Sequence, residues 1–144
     1  MVGSLRIIVL DDDTGFLKLV EQIIMKNQPN ASIFLFNWPE VALSMIMGNR
    51  EGFDLVVSDY QMPSVTGLDV WYTLRKNSLH TKFLLTSGED PVLPIEFITD
   101  PHAIFLPKVD LLSENKGLEH IVMDVANDMG HFGIFYPRKG VSGC

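Results

Sequence analysis

The chain has 144 residues, 47% of them apolar and 20% charged, with a formal net charge of −7. That length fits one domain with a sizeable core, and the acidic balance argues against a nucleic-acid surface made by this chain's own lysines and arginines. No apolar run is long enough to span a membrane, no charged-then-apolar leader opens the sequence, and the lone cysteine, Cys144, excludes an internal disulfide and fits a reducing cytosol.

The first apolar run, LRIIVL (5–10), is followed by three acids, Asp11, Asp12 and Asp13. Residues 14–27 then place Phe16, Val20, Ile23 and Ile24 at helical spacing. A second run, SIFLF (32–36), precedes a helical stretch over 38–47 with Trp38, Val41, Ala42 and Met45 on one face. The third, DLVVS (54–58), delivers Asp59 and leads to a helix over 67–76 carrying Leu68, Trp71 and Leu74. The fourth, KFLLT (82–86), is followed by a segment with Pro91, Pro94 and Pro101, which leaves room for only a short helix near 94–99. The fifth, AIFL (103–106), precedes a helix over 113–129, with Ser113 or Asp110 as its expected cap.

The five runs are continuous rather than alternating, which suits strands buried on both faces of a parallel sheet. Strand–helix alternation repeated five times predicts an α/β layer with helices on both sides. The last stretch, 130–144, has no clear period and reads as a tail or the start of a linker.

Ligands in such sheets bind beyond the carboxyl ends of the strands. Those ends carry Asp11, Asp12 and Asp13 from the first strand, Asp59 from the third, Thr86 and Ser87 from the fourth, and Lys108 just past the fifth. Each has a plainer reading alone: an Asp after a strand usually caps the next helix, and a lone Lys or Thr there is usually surface. Their joint delivery to one edge points to a divalent cation beside a nucleophile. Oxygen donors without Cys or His suit Mg²⁺ better than Zn²⁺. A carboxylate can attack phosphorus, and Mg²⁺, Lys108 and the Thr86 hydroxyl would neutralise the phosphoryl oxygens.

The stretches IVLDDD, DLVVSDYQMPSVTGLDV, FLLTSGE and AIFLPK, in this order, resemble the receiver domain of two-component response regulators over roughly 5–129. Asp59 to Thr86 is 27 residues and Thr86 to Lys108 is 22, as in that family. The resemblance implies a flavodoxin-like (βα)5 doubly wound fold with strand order 2-1-3-4-5. It implies that Asp59 accepts a phosphoryl group from a phosphohistidine of a sensor histidine kinase or histidine phosphotransfer protein in the cytoplasm. Asp12 would bind Mg²⁺ directly, Asp11 through water, and Gln61 through its backbone carbonyl, beside Asp59. Thr86 and Phe105 would form the switch, a two-state element biased by a local charge change, and Lys108 would pair with the phosphoryl group. Pro63 and Gly67 match the loop after the acceptor, Pro63 by fixing φ and Gly67 by permitting a positive one. The family uses the face of the fourth helix, fifth strand and last helix for dimers, and PVLPIEFI (91–98) is apolar here, so a homodimer is expected there unless these residues are core.

Three departures stand out. Val109 occupies the place of the proline that usually follows the lysine, where a cis bond would be costly. Phe105 lacks the hydroxyl of many members, so burial alone favours its inward state. Thr66 stands where an acid is common.

Two rival readings remain at this level. A haloacid-dehalogenase-type phosphatase would use Asp11 as nucleophile in an Asp-x-Asp-Gly-Thr motif, but Thr14 and Gly15 reverse that order, and its late acidic pair would be Asp124 and Asp128, which lie on a helical stretch. A receiver-like module that takes no phosphate would lack an acid of the pair, the acceptor or the lysine, and all are present.

Overall fold

The computed structural model describes residues 4–113 and 117–127. Five strands, β1 (Arg6–Leu10), β2 (Ser32–Phe36), β3 (Leu55–Asp59), β4 (Lys82–Ser87) and β5 (Ala103–Pro107), alternate with α1 (Thr14–Asn27), α2 (Pro39–Gly48), α3 (Gly67–Lys76) and the one-turn helices α4 (Ile95–Ile98) and α5 (Lys108–Leu111), ending in α6 (Leu118–Ala126). The sheet is parallel throughout, in the order β2-β1-β3-β4-β5. This is the doubly wound fold expected from the sequence. Among the described residues no helix is long and apolar enough to cross a membrane.

Side-chain alternation divides the core in two. Ile7, Val9, Leu55, Val57, Leu84 and Ile104 pack with α1 and α6 on one face. Ile8, Leu10, Val56, Phe83, Leu85 and Phe105 pack with α2, α3 and Phe97 of α4 on the other. Phe97 and Phe83 are fully buried, and each such side chain contributes roughly 1.5–3 kcal/mol over its exposed state. Continuing the alternation past the strand ends puts Asp11, Asp59, Thr86 and Lys108 in phase with the first cluster.

Local chemistry sets the helix starts. Asp13 caps α1, its Oδ1 accepting from the N–H of Gly15 at 2.9 Å and of Phe16 at 3.2 Å. Thr66 and Asp69 form a reciprocal capping box at α3. Thr66, noted from the sequence only as a departure, therefore begins a helix.

Three expectations are corrected. The last helix starts at Leu118 rather than 113, because residues 108–111 form their own turn. Its N-cap is Gly117, with no side-chain cap from Ser113 or Asp110. A Cβ at Gly117 would collide with the carbonyl oxygens of Asp110, Leu111 and Ser113. Gly67 does not have a positive φ: in its loop Ser64 takes that conformation, at φ 71°. Gly67 is needed for space, since a Cβ there would run into the Asp59 carbonyl and a Leu85 methyl. The tail over 130–144, and Asp128, lie outside the described residues.

Candidate functional site

The carboxyl edge of the sheet gathers the acids. Asp11 follows β1 and is 1% exposed, while Asp59 ends β3 and is 6% exposed. Asp11 is fixed from both sides: its own N–H donates to the Phe36 carbonyl at 3.1 Å, and its Oδ1 accepts from the Asp13 N–H at 2.8 Å. Asp59 is fixed by its neighbours, because the following N–H, of Tyr60, donates to the Thr86 carbonyl at 2.8 Å, and Gly67 N–H donates to Tyr60 O at 2.8 Å. Asp12 is exposed. Carboxylate oxygens of Asp11, Asp12 and Asp59 lie within 4.8 Å of one another.

Among the described residues one cation enters this group. Lys108 Nζ sits 3.0 Å from Asp11 Oδ2 and 3.5 Å from Asp59 Oδ1. Pro107 caps α5 directly, so Lys108 is the helix's first residue. There are no cis peptide bonds among the described residues, and the lysine reaches the acids with Val109 in the place of the family proline.

One ammonium does not balance three carboxylates. Burial, then the neighbouring Asp11 charge, push the Asp59 carboxyl up to about 6, against the opposing pull of Lys108. Burial also raises Asp11, although the Asp13 N–H and Lys108 resist it. For Lys108 the cost of burial is outweighed by Asp11 and Asp59, so its pKa rises. The acids and Lys108 line a cleft of about 500 Å³ with Gln61, Ser87, Gly88 and Glu89. Among these lining residues there is no His or Cys. An all-oxygen donor set with surplus negative charge and room for water fits a hard divalent cation such as Mg²⁺.

Not every expected residue lines the cleft. Thr86 is 1% exposed, and its Oγ1 is buried without a hydrogen-bond partner among the described residues. It pairs in register with Asp59 across β3 and β4 but stands behind the cleft. Phe105 is buried, 6% exposed, in the cluster on the other face of the sheet. The 91–98 segment is split: Phe97 is core, whereas Val92 is 91% and Ile95 64% exposed.

The geometry is matched by sequence. A model of the response regulator receiver domain matches residues 7–108. The chain belongs to the response regulator receiver family. The two-component response regulator ARR12 of Arabidopsis thaliana is 26% identical over 120 residues, 83% of this chain and 20% of that protein. The receiver domain of the Mycobacterium tuberculosis response regulator NarL shares 23% identity at a TM-score of 0.68, covering 88% of this chain and 99% of the other. A CheY-like receiver domain from Methanospirillum hungatei aligns at a TM-score of 0.71 and 20% identity, over 87% of this chain and 96% of that one. These structures share the fold, whereas the chain spans only about a fifth of the length of ARR12. Receiver domains are signalling domains that bind Mg²⁺ at an acidic pocket and interact with histidine kinases or phosphotransfer proteins. Family membership displaces the phosphatase reading. The geometry agrees, since one Asp11 oxygen is held by the Asp13 N–H and the other faces Lys108.

The sequence did not single out two contacts of this site. Phe16 was read as one residue of an apolar helix face, yet Lys108 Nζ lies 4.3 Å from its ring centroid. Glu89 shares the cleft, and only its position two residues past β4 hinted at that.

Proposed function

We propose that this chain is a phospho-accepting receiver in which Asp59 takes a phosphoryl group from a phosphohistidine of a sensor kinase or phosphotransfer protein. The observation that carries the reading is the convergence of Asp59 with two further carboxylates and one ammonium in a single cleft. An Asp59 carboxylate oxygen attacks phosphorus, the P–N bond to the donor imidazole breaks, and the imidazole leaves as the neutral base after taking up a proton. Asp11, Asp12, Asp59 and the Gln61 carbonyl would hold Mg²⁺, whose role when bound is to neutralise phosphoryl oxygen charge. Lys108 takes the oxygen that faces it. The partnerless Thr86 hydroxyl is a donor available to another oxygen after a rotation of its side chain. That rotation would be coupled, across the β4–β5 pairing, to Phe105 on the opposite face, whose buried ring favours the inward state.

The switched surface is the face of α4, β5 and the last helices, where Val92, Ile95 and Val109 stay exposed, and a homodimer through it is part of the proposal. We take residues 5–129 as the working unit and the cytoplasm, where kinase catalytic domains reside, as its location. The test is incubation with acetyl phosphate and Mg²⁺, followed by mapping of the hydroxylamine-labile acyl phosphate. It is expected on Asp59 and absent from Asp59→Asn. Label retained at Asp11 in that variant would overturn the assignment, and failure to bind beryllofluoride with Mg²⁺ would favour a non-phosphorylated module.

A further inference from the structure

The Lys108 ammonium has a third neighbour that carries no charge: its Nζ stands 4.3 Å from the centroid of the Phe16 ring. This is within the roughly 6 Å at which an aromatic face attracts a cation. Phe16 is in the first turn of α1, and its backbone N–H donates to Asp13 Oδ1 at 3.2 Å. Its side chain, partly buried, packs against the α1–α6 core cluster. The cap thus fixes the backbone that carries the ring, and the core holds the ring itself. Lys108 is held less firmly by its own surroundings. It opens a one-turn helix without a side-chain cap, and the next residue, Val109, is 75% exposed.

We propose that Phe16 is a positioning residue for Lys108, holding the ammonium over the cleft while the carboxylates change partners. This role rests on the phospho-acceptor reading of Asp59. Without a cation, Asp11 and Asp59 hold Lys108 at 3.0 and 3.5 Å. A divalent ion shared by the same carboxylates competes for that charge and loosens both pairs, just when Lys108 must wait for a phosphoryl oxygen. The ring's attraction does not involve the carboxylates and is not spent on the ion. It also shields one side of the ammonium from water. Asp13 enters the same chain of contacts: by capping α1 it sets the angle of the first turn, and so the height of the Phe16 ring.

Two plain alternatives, apolar cover and core packing, predict that leucine would serve as well. The test separates them. Phenylalanine carrying one, two and three ring fluorines is placed at position 16, which drains the ring face of negative charge at nearly constant shape. Acyl-phosphate formation from acetyl phosphate and Mg²⁺ is then timed, with Mg²⁺ affinity measured alongside. The rate is expected to fall stepwise with fluorination, by about three- to tenfold across the series. Phe16→Leu should fall to a similar level, Phe16→Trp should keep the rate, and Mg²⁺ affinity should stay unchanged. A flat fluorination series, or a Phe16→Leu protein as fast as the parent, overturns the proposal. An independent readout is the proton shift of the Lys108 ε-methylene, which the ring should move upfield both with and without Mg²⁺. Loss of that upfield shift on adding Mg²⁺ also overturns it. If the ring shift persists but no variant forms an acyl phosphate, the phospho-acceptor reading fails while the ring–ammonium contact stands.

Discussion

Two carboxylates at opposite ends of the sheet, Asp59 buried and Asp100 half-buried, behave in opposite ways. At the amino edge, Asp100 accepts from Trp71 Nε1 at 2.7 Å, Arg75 Nε at 2.7 Å and the His102 N–H at 2.8 Å. Arg75 also donates to the carbonyls of Leu79 and His102. Burial alone would raise the Asp100 pKa, but Trp71, Arg75 and the His102 N–H together hold it below the ordinary range. At the carboxyl edge, Asp59 shares the Lys108 ammonium with Asp11 and is pushed up to about 6. A larger cleft, of about 930 Å³, borders Asp100, yet the chemistry gathers at the smaller one. A carboxylate whose hydrogen bonds are complete ties α3 to the loop before β5. One that is left in surplus charge suits the cation and the electrophile of the proposed phospho-acceptor.

The sharpest break is expected from Asp59→Asn, with complete loss of the acyl phosphate while the fold persists, checked by phosphate mapping and circular dichroism. Next, Asp100→Ala strands the Trp71 and Arg75 donors and should cost about 3 kcal/mol, read as a lower urea midpoint with Mg²⁺ affinity intact. If it instead weakens Mg²⁺ binding, the two ends are coupled and the contrast fails. Third, Asp12→Ala should weaken Mg²⁺ at least about tenfold, whereas Asp13→Ala should leave affinity nearly unchanged and cost about 1 kcal/mol of stability as a lost cap. Equal losses of affinity would mean that the three acids act as one group.

The last effect is in pH. The folded chain keeps the Asp59 proton up to about pH 6, against an ordinary value of 3.8. The stability this proton contributes is complete below the ordinary value and lost as pH rises through 6. Asp100 runs the other way: its contribution is complete above the ordinary carboxylate range and lost as pH falls below it. Without Mg²⁺, Asp59→Asn should therefore gain stability relative to the parent on going from pH 4 to pH 7, by about 2 kcal/mol. Urea titrations at the two pH values check it, and added Mg²⁺ should remove the gain.

Much of this was legible in the residues. Continuous apolar runs marked the strands within a residue or so, and the strand ends named Asp11, Asp59, Thr86 and Lys108 because a parallel sheet sends them all to one edge. Pairings made across long stretches of sequence were not legible. Nothing local to Asp100 shows that Trp71 and Arg75 will meet it, and nothing near Phe16 shows that Lys108 will lie over it. The role of Gly67 was misread because sequence shows that a side chain is missing and not what fills the space. Here it is the Asp59 carbonyl and a Leu85 methyl.

The division of the core into two clusters also bears on how this chain tolerates insertions and deletions. The site depends on phase: Asp11, Asp59, Thr86 and Lys108 all continue the alternation that faces α1 and α6. One residue added inside β3 would turn Asp59 toward the opposite helices and send Val57 after it. The same residue added between α2 and β3, where Gly52 already bends the chain at φ 74°, would leave the phase untouched. Length variation is therefore expected to be accommodated in the connections at the amino edge and rejected within the strands. The two greasy layers act as a ruler that keeps four polar groups in step.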